Sequence, residues 1–394
     1  MTRGVRGRRV ERLERLRASA AQLLRPFDPL TLRRGQRPLL ALCALLSSCY
    51  RVDKPAGPAA AAAVPAGDGR TLRVFIWSEY MDPDIVGAFE KQSGARVILD
   101  TFESNEAMLA KLQGGGATYD LVVPSSYVVQ TMVRAGLLQP LNRAQLPNLK
   151  NVAPEFLNPP YDPGNRYSVP YQYAATGLAY NKSRYVPRSS WAEIFGPEDR
   201  RSFVLLDDPR EVIGAALKYL GHSANTADVA ELRAARDLLR RTVAKKGFQG
   251  FDGGPGTRNK LLARQVDLGQ IYVGDLLIAT EENPQVQVLL PREGTTISMD
   301  TLVVLKRSPN PALAHRFINT LLDAEVGARL SNYTYYATPN AAARPLLDDF
   351  LKEIPALNPP PQWLQNGKLD FIDELPGRRA QRLYDRIWTE LKSR

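Results

Sequence analysis

Cysteine and histidine are almost missing from this chain. Its 394 residues include two cysteines, Cys43 and Cys49, and two histidines, His222 and His315. A disulfide framework is excluded, and so is a zinc ribbon or any other His-rich metal site. A Ser-His-Asp hydrolase would have to rest on one of two isolated histidines, with no Gly-x-Ser-x-Gly nearby. No stretch reaches the roughly 20 apolar residues that a bilayer-spanning helix needs. Internal repeats are lacking as well. What remains is ordinary for a globular protein: 44% hydrophobic residues, 24% charged and 8% aromatic, over a length that suits two domains.

The body also has little net charge. The chain as a whole carries +11, but residues 1–48 hold eleven arginines against three acids, a net of +8, which leaves 41 basic and 38 acidic groups for the other 346 residues. A body without a basic field of its own speaks against nucleic-acid binding. Behind the arginines, Pro38–Ser48 reads PLLALCALLSS. A basic segment, a short apolar core and a small-residue exit describe a secretory signal. The exit, Leu46-Ser47-Ser48-Cys49, resembles the lipobox of bacterial lipoproteins, in which the cysteine is lipidated and becomes the first mature residue. Residues 1–48 are therefore read as a lipoprotein signal peptide and Cys49 as its lipidation site. Twin arginines, Arg33-Arg34, sit in an otherwise poor twin-arginine context. The Pro, Ala and Gly of 54–70 have no periodic apolar face, so 49–70 is read as the lipidated cysteine and a flexible tether.

From Leu72 onward the pattern alternates. Leu72–Trp77 is a β-prone run. Asp82-Pro83 offers an N-cap and a proline at the first helical position, and Gly94 is suited to end that helix. Ala95–Phe102 is a second strand, Ser104–Leu112 a capped helix, Tyr119–Val123 a third strand, and Tyr127–Ala135 a helix that stops at Gly136. Such βαβαβ order favours a parallel sheet with helices on its faces. Later strands are expected at Gly177–Asn181, Ser202–Leu206, Asp267–Val273 and Val286–Leu290. Helices are expected at Pro209–Leu220, Ala227–Lys245 and Ala312–Leu330.

In open α/β sheets ligands bind beyond the carboxyl ends of the strands. The residues there are Trp77-Ser78-Glu79-Tyr80, Ser125 and Tyr127, Asp208 and Glu211, Tyr272 and Asp275, and Asp300. Each has a plainer use. Asp208 before Pro209 is a standard N-cap, Glu211 and Asp275 suit first helical turns, Trp77 and Tyr272 suit a core, and Asp300 suits a turn. Together they describe a cleft with several acids and several aromatic faces. Carboxylates hold ammonium groups through charge-assisted hydrogen bonds, and flat rings accept methylenes and cations. An elongated organic cation fits that chemistry. An anion would call for Gly, Ser and Arg at the same places.

These motifs carry a resemblance. Trp77-Ser78-Glu79-Tyr80, the run Tyr119–Tyr127 (YDLVVPSSY), Tyr167–Tyr171 (YSVPY), Asp207–Val212, Ser298-Met299-Asp300 and Tyr336–Asn340 (YATPN) resemble, in order, the bacterial spermidine/putrescine-binding proteins, receptors of polyamine ABC importers. The resemblance implies an α/β fold of the two-lobe, type II periplasmic binding protein class, with the ligand between the lobes. It implies one lobe of 71–174 plus 299–344 and another of 178–298 plus 345–394. It further implies ligand contacts from Trp77, Ser78, Glu79, Tyr80, Ser125, Tyr127, Asp208, Glu211, Tyr272, Asp275, Asp300 and Tyr336. Two departures stand out: Ser298 replaces an aromatic two residues before the central acid, and Asp370 follows the Asn366-Gly367 turn where spermidine-type members have glutamine. The implied protein is no enzyme and uses no cofactor. It is a monomer that meets a polyamine and the permease subunits of an ABC importer, and touches the membrane of the cell envelope through its lipid only. The alternatives are a receptor for another small solute in the same fold and a polyamine sensor.

Overall fold

The computed structural model describes residues 67–393, apart from 115–117, 199–200, 281–282, 355–356, 358–365, 374 and 376. The signal sequence, Cys49 and the tether up to residue 66 lie outside the described residues. Gly67 and Gly69, assigned to the tether from composition, are fastened to the body. Gly67 N–H donates to the Pro309 carbonyl (2.9 Å) and Gly69 N–H to Asn310 Oδ1 (2.8 Å).

The first elements are β1 (Thr71–Trp77), α1 (Pro83–Ser93), β2 (Arg96–Phe102), α2 (Asn105–Gln113), β3 (Leu121–Val122) and α3 (Val129–Arg134). Next come β4 (Ser168–Asn181), α4 (Ala192–Phe195), β5 (Phe203–Leu206), α5 (Pro209–Tyr219), α6 (Val229–Val243), β6 (Phe248–Asp252), α7 (Gly254–Leu262), β7 (Leu268–Tyr272) and α8 (Val273–Thr280). The chain finishes with β8 (Val286–Leu289), β9 (Thr295–Val304), α9 (Pro311–Leu321), α10 (Ala324–Thr334), α11 (Asp349–Lys352), β10 (Leu369–Phe371) and α12 (Gly377–Lys392).

Local signals work as expected where a cap is present. Asp82 accepts from Asp84 N–H and Pro83 opens α1, while Gly94 ends it at φ +71°. Ser104 caps α2 and Asp208 caps α5. The single helix expected over Ala312–Leu330 is instead two. Asp323 accepts from Glu325 and Val326 N–H and so starts α10 afresh. Tyr127 lies in a 3₁₀ turn, Ser126–Val128, ahead of α3. Asp300 is not a turn residue but sits inside β9.

The strands follow the order β2-β1-β3-β9-β4-β7-β5-β6, with β10 against β9 and β8 against β4. β1 pairs in parallel with β2 and β3, and β5 does so with β6 and β7. The long antiparallel strands β4 and β9 join these two groups. Ser168–Pro170 pairs with Thr301–Val303 and Tyr173–Ala175 with Ile297–Met299, with a register shift between Pro170 and Tyr173. Beyond that crossing β4 continues against β7 and β8, and the start of β9 pairs with β10. Two lobes therefore share two strands.

Each lobe buries both faces of its sheet, the rule for parallel strands covered by helices. In the first lobe Leu72, Val74 and Ile76 pack with Phe89 and Phe317 on one side. Phe75, Met108, Val122 and Met132 pack on the other. In the second, α5 lies with Trp191, Leu239 and Tyr384, while Val204, Ile271 and Leu276 fill the opposite face. Burying one such side chain is worth about 1.5–3 kcal/mol. Rigid layers of this kind hold the strand ends, and the loops that leave them, at fixed positions.

Candidate functional site

Two strand ends of the first lobe supply one wall of a cleft. β1 ends on Trp77, whose indole lies 4.5 Å from the Phe102 ring. The chain then turns through Glu79 in a left-handed conformation, φ +56°, which costs a side-chain-bearing residue about 1–2 kcal/mol. The turn brings Tyr80 inward, edge-on to Tyr171 (5.2 Å) and Tyr336 (4.7 Å). Ser125, just past β3, forms an isolated bridge with Asp300 of β9. Its Oγ donates to Asp300 Oδ1 at 2.8 Å.

The second lobe supplies the opposite wall. β5 runs into Asp207 and Asp208. Asp208 Oδ1 accepts from Arg210 N–H (2.8 Å) and Glu211 N–H (3.1 Å), so its role as an N-cap is real. Its Oδ2 stays toward the cleft, where Tyr272 Oη lies 3.4 Å away. Tyr272 ends β7, and Asp275 stands in the first turn of α8. Gly274 allows the lobes to meet here: a Cβ on it would lie 2.4 Å from the Tyr336 ring.

Between the walls is a cleft of about 710 Å³, counted out to its open mouth. Of the residues expected at the site, Trp77, Ser78, Tyr80, Ser125, Asp208, Tyr272, Asp275, Asp300 and Tyr336 line it. Burial pushes the carboxyl groups of Asp300 and Asp275 up to about 7. The Ser125 hydroxyl works against this at Asp300, and the Arg258 guanidinium does so at Asp275. Burial raises Asp208 and Glu211 too, and their mutual repulsion adds to the effect at Glu211. Trp77 Nε1 and Tyr80 Oη are buried with no partner within hydrogen-bond range. Both nevertheless favour the charged form of Asp300, so they and Ser125 gather around that carboxylate.

Glu79, Tyr127 and Glu211 do not line this cleft. Glu79 is 45% exposed and pairs with Arg258 of α7, Oε2 to Nη1 3.1 Å. Tyr127 accepts from Asn105 Nδ2 (2.9 Å) and lies beneath the Arg210 guanidinium, 5.4 Å from its ring centroid. Glu211 is fully buried behind Ser298. It accepts hydrogen bonds from the Thr176, Thr296 and Ser298 hydroxyls. Ser298, the departure from the resembling family's aromatic, thus fastens an acid instead of forming a flat wall. Asp370, which follows the Asn366-Gly367 turn, is saturated within the second lobe. It accepts from Lys218 Nζ (3.1 Å), Ser223 Oγ (3.3 Å) and Ala224 N–H (3.0 Å).

Sequence reasoning missed Glu103, Leu206, Asp207 and the Gly253-Gly254-Pro255 turn, all of which line the cleft. That turn leaves β6, a strand absent from the expected set. Gly-Gly-Pro-Gly after an aromatic run was the available signal. The histidines take no part. His315 donates to the Pro311 carbonyl and accepts from Asn142 N–H, and His222 stands 3.3 Å from Glu231. No cluster of metal-ligand type occurs among the described residues. No helix among them is long and apolar enough to cross a membrane.

Comparison with known proteins agrees with this fold. The model of the bacterial extracellular solute-binding protein family matches residues 84–359. The spermidine/putrescine-binding periplasmic protein of Escherichia coli (strain K12) is 36% identical over 334 residues, 84% of this chain and 94% of that protein. A putrescine/cadaverine-binding protein of Pseudomonas aeruginosa is 33% identical over 353 residues, 85% of this chain and 97% of that protein. Among solved structures, a putative spermidine/putrescine ABC transporter from Listeria monocytogenes superposes with a TM-score of 0.75 at 34% identity, covering 82% of this chain and 99% of that one. Such proteins are solute-binding receptors rather than an enzyme family, and the curated relatives include periplasmic ones. With its two α/β lobes, shared hinge strands and interlobe cleft, the chain belongs to the family of bacterial extracellular solute-binding proteins.

Proposed function

We propose that this protein captures a linear polyamine, putrescine or spermidine, between its lobes and delivers it to the permease subunits of an ABC importer. The observation that carries the reading is one cleft in which Asp208, Asp275 and Asp300 stand among Trp77, Tyr80, Tyr272 and Tyr336. Three carboxylates without a full set of protein cations suit ammonium groups, and the rings suit the methylenes between them. The relatives named for spermidine, putrescine and cadaverine support the same ligand class. Glu211 contributes from behind Ser298 by adding to the field at Asp208. Ser78 and Ser125 orient the neighbouring acids: Ser78 Oγ donates to Glu103 Oε1 at 2.5 Å. Tyr127 and Glu79 brace the contact between the lobes.

The hinge is the crossing of β4 and β9, which divides the chain into 71–174 with 299–344 and 178–298 with 345–394. Both walls come from one chain, so a monomer suffices. Closure follows ligand capture, as in other hinge-closing receptors. Cys49 is a lipid anchor that tethers the protein at the extracytoplasmic face of a membrane. Cys49→Ser is expected to release it into the soluble envelope fraction, and continued membrane retention would count against the anchor. Isothermal titration with putrescine, spermidine, spermine and an amino-acid panel tests the ligand class. Binding of the amines alone is expected, weakened more than tenfold in Asp300→Ala, since stripping one partner from a buried charge pair costs about 2–5 kcal/mol. Indifference to every amine would end the proposal.

A further inference from the structure

The two ends of the cleft are electrostatically unequal. At one end Asp208 and Asp300 line it, with Glu211 behind Ser298. The α5 N-terminus there is already capped by Asp208. The nearby Arg210 donates to the Asp373 carbonyl and Asn225 Oδ1, both at 2.7 Å, and acts on Asp208 through its charge without pairing directly with an acid. At the other end Asp275 and Glu103 line it, and here a protein cation pairs directly with an acid outside the lining, Glu79. Arg258 is 9% exposed, and its Nη1 reaches across from α7 to Glu79 Oε2 at 3.1 Å. Its charge also acts on Asp275. Two further features point the same way. Helix α7 opens at Gly253, whose N–H donates to Asp252 Oδ1 (2.9 Å), so the protein's own groups already answer one another at this end. Its first residue, Gly254, lies directly against the Asp275 carboxylate, where a Cβ would come within 1.6 Å of Oδ2. The left-handed turn at Glu79 sets that side chain toward Arg258, at a conformation that non-glycine residues seldom adopt.

Resting on the polyamine reading above, we propose that Arg258 is a built-in counter-cation that takes the place of a ligand ammonium beside Glu79, so that the cleft selects diamines over longer triamines. A diamine places one ammonium among Asp208, Asp300 and the field of Glu211, and the other at Asp275. The third ammonium of a triamine would meet a guanidinium where it needs a free carboxylate.

Calorimetric titration of the wild type, Arg258→Met and Arg258→Lys with putrescine and with spermidine tests this. The wild type is expected to prefer putrescine. Arg258→Met keeps much of the side chain's length without its charge, and should move the spermidine-to-putrescine affinity ratio at least ~10-fold toward spermidine, about 1.4 kcal/mol. Arg258→Lys keeps the charge and should hold the wild-type ratio within about threefold by the same scale. A ratio unmoved in Arg258→Met, an equal loss of both ligands, or a wild-type preference for spermidine overturns the proposal. Wild-type protein that binds neither amine would instead sink the polyamine reading beneath it, so the two failures are distinguishable.

Discussion

Replacing Asp300 by asparagine should make the ligand-free protein more stable at alkaline pH while removing its ability to hold a ligand. Asp300 is 8% exposed, and burial lifts its carboxyl from an ordinary value near 4 to about 7. Below pH ~4 the folded and unfolded chains both keep the proton, and the group costs nothing. Between about 4 and 7 the unfolded chain ionises while the folded one does not, so stability falls by about 1.4 kcal/mol per pH unit. Above about 7 both are ionised and the full cost, about 4 kcal/mol, is present. The amide of Asp300→Asn has the same shape and can keep the bond from Ser125 Oγ, but it carries no charge. Whatever constant that amide adds, the stability difference between variant and wild type should grow by about 2–3 kcal/mol from about pH 5 to pH 8 in the variant's favour. Urea unfolding at the two pH values measures it. The same samples with saturating putrescine should show stabilisation of the wild type and little or none of the variant. A difference independent of pH, or one that grows in favour of the wild type, would refute the reasoning that the acid is held against its own solvation.

Two further outcomes follow from the same charges. Asp300 and Asp275 sit near 7 in the ligand-free cleft and must be ionised around a bound dication, so binding at pH 7 should release close to one proton. Titration in buffers of different ionisation enthalpy reads this directly. Affinity should fall as pH drops from about 7 to 5, and zero proton release would contradict it. Gly254→Ala places a methyl group against the Asp275 carboxylate and must displace it. The fold should persist, because the atom in the way is the end of a side chain. Amine affinity should drop by about 3–10-fold, of the order expected for a misplaced charge-assisted hydrogen bond. Unchanged affinity would remove Asp275 from the site.

Much of this fold is written locally. Asp82-Pro83 and Gly94, Ser104, and Asp208-Pro209 mark helix ends through hydrogen bonds made within a few residues, and those helices form where expected. The strands β4 and β9 are different. β9 reads TTISMDTLVV and is buried along most of its length, so it has neither a polar face nor a continuous apolar run. Its Thr, Ser and Asp side chains are satisfied by partners far away in sequence, such as Glu211 and Ser125. Periodicity cannot reveal a strand whose logic is tertiary. The site behaves likewise. Strand ends pointed to most of its walls because ligand clefts of α/β sheets form there. The partnership of Glu79 with Arg258 lies 179 residues apart in sequence, and no local signal encodes it.

The distribution of acids between the lobes sets how strongly a ligand favours the closed arrangement. Asp300, Glu79 and Glu103 come from the first lobe, and Asp208, Glu211 and Asp275 from the second. Bringing the lobes together without a guest therefore sets like charges face to face in a space that water is leaving, where repulsion strengthens. The neutralising response, protonation near pH 7, only partly relieves this. A guest with two positive ends adds an attraction to each of these acids that competes with their repulsion. Its differential affinity for the closed state is the free energy that shifts the hinge equilibrium. The Glu79–Arg258 pair and the Arg210–Tyr127 contact act in the other direction, since they favour approach of the lobes even without a guest. Glu79 is nearly half exposed, so its ion pair contributes little. The buried acids therefore dominate the cost of closing an empty cleft, and a bound dication offsets it.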